Sequence, residues 1–589
     1  MYAADDRTQF QLGWKSPGAQ LGLYRAGRTY KVLGIIFVLL HVTILLNDCG
    51  RGSGGGVGNS SGGISGNPSL TSLALSAGAI APAFDPRITN YTATVTFLFS
   101  SVTITATPTE ATSSVTVNGT TPTEPVNLAE GDNTLDVQVT TVGGATELYT
   151  ITVTRQGAAS FAQQAYAKAS NTGAFDEFGT VVALSGDTLA VGAPFESSTA
   201  TGINGDQTDN TVPKAGAVYV FTFDGSAWTQ QAYIKASNTD KGDQFGTSVA
   251  LSGDTLVVGA PFESSHATSI DGDQSDNSAP NAGAAYVFVR NGTTWTQQAY
   301  VKGSNTLAGV QFGTAVALSG DTLAIGEPFS GTVYVFVRSG TTWTQQTYIN
   351  EGVNHFGWSV AVGGNALVIG EPLENSDATG IDGDETDHSA PDAGAVYVFV
   401  RNGATWTQQA YIKASNTNKE AQFGTSVALN GDTLVVGAPF EDSSATGIDG
   451  DETDHSAPNA GAVYVFTFDG DTWTQQAYVK ASNTGAGDNF GSCVALSGDI
   501  LAVGAYQSSS SSGHDGAAYV FTRSGATWTQ QEYVKASNPH PLDWFGYSVA
   551  LESGLLAIGA NREGSSATGI GGDQTDTSSP LSGAVYLFQ

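Results

Sequence analysis

The dipeptide Phe-Gly recurs at Phe178-Gly179, Phe245-Gly246, Phe312-Gly313, Phe356-Gly357, Phe423-Gly424, Phe490-Gly491 and Phe545-Gly546, at intervals of 67, 67, 44, 67, 67 and 55 residues. A period of this length makes each unit one supersecondary element, which buries its faces only against its neighbours. The second unit shows the content. Phe245 to Leu251 is followed by the tight turn Ser252-Gly253-Asp254, then Leu256 to Pro261, a long loop, Ala284 to Val289, and Trp295 to Lys302. The first three segments are nearly continuous apolar runs, as strands buried on both faces require. The fourth alternates, as an outer strand should. The period of two and a load of 74 glycines exclude a helical solenoid. Four strands per unit, repeated seven times, predict an all-β chain built on a seven-bladed β-propeller.

The termini carry an independent sign of closure. The seventh unit stops at Gln589 and lacks its Trp-Thr-Gln-Gln segment, whereas an equivalent, Phe161 to Lys168, stands before the first unit. Pairing the two completes the last blade and removes exposed edges.

Ahead of the propeller (156–589), residues 68–155 read as a small β-sandwich. Val102 to Ala106, Val115 to Val117 and Leu135 to Val139 alternate with period two, punctuated by Asn118-Gly119 and Gly131-Asp132-Asn133. Leu73 to Leu75, Phe84-Asp85-Pro86 with Tyr91, and Tyr149 to Arg155 resemble the bacterial cadherin-like β-sandwich family, which implies a spacer module. Residues 1–49 read as a leader, with Arg25, Arg28 and Lys31 before the apolar run Val32 to Leu46, and residues 50–67 as a Gly/Ser linker. Leu46-Asn47-Asp48-Cys49 resembles a bacterial lipoprotein signal, with Cys49 as the lipidated residue and Asp48 departing from the small residue expected there. An uncleaved anchor or simple secretion remain alternatives. All three predict export, to the cell surface, the outer membrane or the medium.

Phe-Gly followed at fixed distance by Gly-Ala-Pro resembles the FG-GAP repeats of the integrin α-chain propeller and its bacterial relatives. The resemblance implies the propeller fold and a ligand-binding face. In integrins the calcium loop lies between these two strands. Here that connection is the bare Ser-Gly-Asp turn, too short to wrap an ion, so those sites do not carry over.

Charge narrows the partners. A net charge of -32 argues against nucleic acid or an anionic lipid surface and favours cations or cationic groups. Cys49 and Cys493 offer neither a disulfide framework nor zinc spacing.

Acidity concentrates after the Gly-Ala-Pro strand, in five inserts of nearly fixed wording: Asn204 to Asp209, Asp271 to Asp276, Asp382 to Asp387, Asp449 to Asp454 and Gly571 to Asp576. Alternate carboxylates around a glycine bend suit a hard cation such as Ca²⁺. The candidate metal ligands are therefore Asp206, Asp209, Asp271, Asp273, Asp276, Asp382, Asp384, Asp387, Asp449, Asp451, Asp454, Asp573 and Asp576. The alternative is an Asx-turn loop, in which the same oxygens cap backbone amides. Strand alternation places these loops and the Lys-Ala-Ser-Asn-Thr connections on one side of the disc, as an acidic crown.

The repeat breaks at Gly326-Glu327-Pro328 and Gly370-Glu371-Pro372, in adjacent units, so Glu327 and Glu371 are candidates for a shared ligand notch near His355 and Trp358. No catalytic triad order, reactive thiol or phosphate loop stands out. The leading expectation is a monomeric, non-enzymatic binding or adhesion protein, Ca²⁺-dependent through its crown, with an extracellular protein or glycan as ligand and the membrane met only through the N-terminus. The rivals are a carbohydrate-active hydrolase or lyase using Glu327 and Glu371, and a structural envelope component.

Overall fold

The computed structural model describes residues 68–122, 125–157, 161–352, 355–508 and 513–589. The leader, the run Val32 to Leu46, Cys49 and the Gly/Ser linker lie outside the described residues. Among the described residues the chain is all-β, and no helix is long and apolar enough to cross a membrane.

The N-terminal sandwich contains a four-stranded sheet in the order Asn90–Val95, Thr146–Arg155, Gly131–Thr140, Ser114–Val117, with the first pair parallel. Two short ribbons, Leu70–Leu75 with Ile104–Pro108 and Ser101–Val102 with Val126–Asn127, accompany it. Alternation sets the core: Leu135, Val137 and Val139 are buried between exposed neighbours and meet Tyr149, Ile151 and Val153 from the adjacent strand.

Beyond the sandwich, seven four-stranded antiparallel sheets follow one another among the described residues. Each has the inner-to-outer order read from sequence, as in Ser248–Ser252, Thr255–Ala260, Ala284–Asn291, Thr294–Val301. The second strand is buried along its whole length in the first, second and fifth sheets, since neighbouring sheets cover both of its faces. Inner strands meet inner strands all round, and that of the last sheet meets Val181–Ser185 of the first. Gln163–Ala167 pairs with Ala584–Phe588, with Tyr166 opposite Tyr586, so the last sheet takes its outer strand from the start of the ring.

Two glycines set the spacing between sheets. Gly192, in the second strand of the first sheet, lies under the carbonyl of Gly246 in the next, and a Cβ there would collide with that oxygen. Gly559 stands in the same relation to Gly179, at the seam where the ring closes. The Gly of Phe-Gly also has φ near +90°, which a side chain would strain (Gly179, φ 90°). At the rim the outer strands tie sheets together: Trp295 Nε1 donates to Gln231 Oε1 of the preceding sheet at 2.7 Å, and Arg290 lies over the Trp295 ring.

The sandwich is seated on the face bearing the Ser-Gly-Asp turns. Phe97 and Leu98 are buried in one cluster with Phe545, Leu556 and Phe588, and Phe161 meets Phe97 edge-on at 5.3 Å and stacks on Phe588 at 5.9 Å. Leu98 and Phe99 line a small cavity with Gly498 and Asp499, a turn of the sixth sheet, and Thr96 and Phe99 lie against Gly554 of the seventh. The crown loops leave the opposite ends of these strands.

Candidate functional site at the crown face

Under the crown each sheet holds a buried polar network that explains the wording Lys-Ala-Ser-Asn-Thr. In the first sheet Lys235 Nζ donates to Glu196 Oε2 at 2.7 Å, while Tyr233 Oη and Asn171 Nδ2 donate to Oε1. Tyr219 Oη in turn donates to Asn171 Oδ1. The Lys therefore serves its own sheet and the Asn the next. Lys168–Glu563, Lys302–Glu263, Lys413–Glu374 and Lys480–Glu441 repeat the ion pair, and Lys535–Asp515 substitutes for it in the sixth sheet.

Above these networks the aspartates build the loops themselves. Asn204, Asp271, Asp382 and Asp449 all have φ between 52° and 55°, and each side-chain Oδ1 accepts the amide of a Tyr on the outer strand (Tyr233, Tyr300, Tyr411, Tyr478). Gly571, also at positive φ, fills the same place. This position selects residues tolerant of left-handed backbone, which is why Asn and Gly alternate with Asp there. Asp206, Asp273, Asp384, Asp451 and Asp573 accept the amide and hydroxyl of the Thr or Ser two residues on. Asp209, Asp276, Asp387, Asp454 and Asp576 reach back ten residues to the amides of Thr199, His266, Asp377, Ser444 and Ser566, pinning the two ends of each loop. The bonds of these last two sets hold their carboxyls below the usual range, Asp454 at about 2 through Ser444. Among the described residues no three His, Cys, Asp or Glu side chains converge to hold a metal ion. The Asx-turn alternative accounts for all thirteen candidate side chains, and the set does not fit a Ca²⁺ cage as it stands.

Glu327 and Glu371 occupy separate surroundings. Glu327, 1% exposed, accepts Ser330 Oγ and has Lys302 as its nearby cation, and burial pushes it up to about 7. Glu371, 4% exposed, is pushed up to about 8 by burial and accepts the Tyr397 hydroxyl, with Glu374, Glu351 and Lys413 around it. The connector Asn350 to His355 is shorter than its counterpart Lys302 to Gln311, in which Asn305 takes the corresponding Tyr334 hydroxyl in the third sheet. Glu371 thus takes the tyrosine hydroxyl of the fourth sheet, as Asn305 does in the third. The shared notch expected from sequence is not formed by these two buried side chains.

The feature that sequence reading passed over lies at the centre. A cavity of about 610 Å³ opens at the crown-side mouth of the channel and is lined by the start of every inner strand. The residue after Phe-Gly is Thr180, Thr247, Thr314, Thr425 or Ser492 in five units, but Trp358 and Tyr547 in the other two. Each of the four Thr hydroxyls donates to the carbonyl three residues back, for example Thr247 Oγ1 to Gln244 O at 2.8 Å. Trp358 and Tyr547 give up that bond. Trp358, 39% exposed, stands beside His355 at 5.9 Å, which in turn meets Phe329 at 5.5 Å. Across the mouth Tyr547 stacks on Trp544 at 5.8 Å and 10°, Tyr506 closes on both, and Arg562 covers the Trp544 ring at 3.2 Å. Tyr506 and Asn561 sit where other units carry Pro, so the Gly-Ala-Pro wording fails in the sixth and seventh units as well. Reading the aligned units for their departures, rather than for their sameness, would have found all of these residues.

The cavity at the other end, about 700 Å³, is lined by repeated Leu and Ser positions such as Leu184, Leu251 and Leu318, with the aromatic pair Phe468 and Trp473 on one side.

Two protein families match this chain. The cadherin-like β-sandwich domain family matches residues 70–156. The FG-GAP repeat family matches residues 161–221, 228–288, 295–336, 406–466, 473–521 and 528–588, leaving out the sheet with the shortened connector. No match was found among curated proteins. Among solved structures, a putative 6-phosphogluconolactonase of Bacteroides uniformis is 10% identical, covering 69% of this chain and 93% of its own, with a TM-score of 0.38. One from Bacteroides fragilis is 11% identical, at 69% and 92% coverage and a TM-score of 0.36. Sqt1 of Chaetomium thermophilum is 15% identical, at 68% and 83% coverage and a TM-score of 0.37. The repeat matches together span more than half of the residues, and by them this chain belongs to the FG-GAP repeat family.

Proposed function

We propose that this protein is an exported, surface-anchored, non-enzymatic binding protein that engages its ligand at the crown-side mouth of the propeller. FG-GAP repeats behind a cadherin-like domain suggest an extracellular adhesion or binding-type protein. The observation that carries the finer reading is the seat of the sandwich. It packs against the turns Gly498-Asp499 and Ser553-Gly554, so the face holding Trp358 and Tyr547 lies on the side of the propeller opposite the sandwich. A rigid scaffold then presents that mouth outward, rimmed by polar loops.

The absence of charge from the cavity lining supports binding without chemistry, since it is formed by Ser, Thr, Val, Pro, Gln and aromatic side chains with Ala315 and Cys493. Cys493 is an inner-strand thiol pushed up to about 12 by burial, far from a thiolate nucleophile.

The test is fractionation of cells expressing the full chain, together with Cys49→Ser. The account expects the parent in the membrane fraction, metabolically labelled by palmitate, with antibodies against the Asp449–Asp454 loop staining intact cells. The variant should lose the label and shift to the soluble exported fraction. A protein retained in the cytoplasm would contradict the proposal.

A further inference from the structure

The ligand chemistry can be taken further from the same mouth, and this step rests on the binding function proposed above. Two aromatic groups face one cavity from opposite sides of the ring, in the fourth and seventh sheets. Both replace a hydroxyl residue that, in four of the other five sheets, closes a local turn. A departure that loses a hydrogen bond and leaves an indole 39% exposed has no folding advantage, and such local conflicts mark functional positions. Tyr506 is a third departure on the same side, replacing a turn-fixing Pro and packing at 5.1 and 5.5 Å on Trp544 and Tyr547.

What would such a mouth bind? Between the aromatic groups the lining repeats small hydroxyl residues, Thr180, Thr247, Thr314 and Ser359 among them, over about 610 Å³. Flat apolar faces flanked by hydroxyls match a sugar ring, which offers C–H faces for stacking and equatorial hydroxyls for hydrogen bonds. The volume takes a few rings. An anionic sugar is disfavoured, because the lining brings no cation and a carboxylate-rich crown surrounds it in a chain of net charge -32. A cationic side chain would meet like charge on one side of the mouth, where the Arg562 guanidinium lies over the Trp544 ring at 3.2 Å. We infer that the crown-side mouth is a lectin-like site for a neutral oligosaccharide, with Trp358 and Tyr547 as its two stacking platforms.

The experiment uses the purified full chain on an array of immobilised neutral, sialylated and uronate-bearing oligosaccharides and of basic and neutral peptides, followed by titration of the best neutral sugar. Trp358→Thr and Tyr547→Thr restore the residue that the other sheets use and its turn-closing hydrogen bond, so they should fold at least as well as the parent. The expected result is binding of neutral sugars, quenched tryptophan fluorescence on titration, and a loss of roughly tenfold or more in affinity for each variant at unchanged thermal midpoint. Binding confined to uronates or sialosides overturns the inference, as does neutral-sugar binding that both variants retain. Binding of a basic peptide, lost in both variants, overturns the glycan assignment but leaves the mouth as the binding site. Arrays blank for parent and variants alike overturn the inference and the proposed function together.

Discussion

Lys235 Nζ lies 2.7 Å from Glu196 Oε2 with both side chains fully buried, and Glu196 Oε1 meanwhile accepts Tyr233 and Asn171. Four other sheets repeat the Lys–Glu pair, so a buried ion pair underpins the crown in five of the seven sheets. Burial depresses the lysine, and Glu196 beside it opposes that shift. Breaking such a pair strands a charge, whereas replacing both partners removes it. Lys235→Met should destabilise the protein by roughly 3–5 kcal/mol in chemical denaturation. Lys235→Met with Glu196→Gln should recover a large part of that loss. A double variant no better than the single one would show that the ion pair is not the main term.

The seam of the ring makes a second prediction. A Cβ on Gly559 would strike the carbonyl of Gly179, whereas a Cβ on Gly186, in an inner turn, meets nothing within 4 Å. Gly186→Ala should cost only the strain of its positive φ, on the order of 1 kcal/mol. Gly559→Ala should cost clearly more, because backbone at the sheet interface must move. Thermal midpoints of the two variants compare them directly.

The buried acids set the response to pH. Burial raises Glu327 to about 7, Glu371 to about 8, and Asp176, Asp243 and Asp543 each to about 7. A carboxyl that holds its proton in the fold but loses it near pH 4 when unfolded makes stability fall as pH rises between those values. The crown aspartates act in the opposite sense. Hydrogen bonds within the loop lower the pKa of Asp206, Asp209 and Asp454, the last to about 2, so their contribution is present above pH 4 and lost as pH falls through the lowered value. Stability should therefore peak on the acidic side of neutrality. Glu327→Gln with Glu371→Gln should raise the midpoint at pH 8 by roughly 1–3 °C, leave it unchanged near pH 4, and flatten the profile between.

The crown carboxylates accept amide and hydroxyl donors within their own loops, Asp206 from Thr208 and Asp209 from Thr199 and Thr211. Thermal scans of the full chain with excess Ca²⁺ and with chelator should superimpose. A rise of several degrees with Ca²⁺ would show that the loops rearrange to cage the ion, since a ligand stabilises the state it binds. Asp209→Ala should open its loop to protease between Ser197 and Asn210 in either condition.

Much of the fold was legible because repetition amplifies weak signals. A single run such as Leu256 to Ala260 is ambiguous alone, but its recurrence behind Phe-Gly and a Ser-Gly-Asp turn fixes strand order. Phe161 to Lys168 could be paired with the last sheet because it carries the Gln-Gln-Ala-Tyr wording of every other outer strand bar small changes. The aspartates were harder to read. The same spacing serves an ion or an Asx turn, and the deciding partners, such as Tyr300 for Asp271, lie 29 residues away. The Lys–Glu pairs were missed for the same reason, with 39 residues between Lys235 and Glu196. Phe97 and Leu98 gave no sign of their role, since they stand in a short connection without periodicity. The aromatic mouth was hidden by reading the units for agreement: Trp358 and Tyr547 are visible only as exceptions at one aligned position.

The central claim is that ligand enters at the crown-side mouth, between Trp358 and Tyr547. Hydrogen exchange of the full chain, with and without a saturating neutral oligosaccharide, tests it most directly. The account predicts slowed exchange in peptides spanning Phe356 to Val360, Ala505 to Gln507 and Trp544 to Val549, with little change elsewhere. Protection confined to the acidic loops, or to the turns at Gly253 and Gly320 on the opposite face, would contradict it.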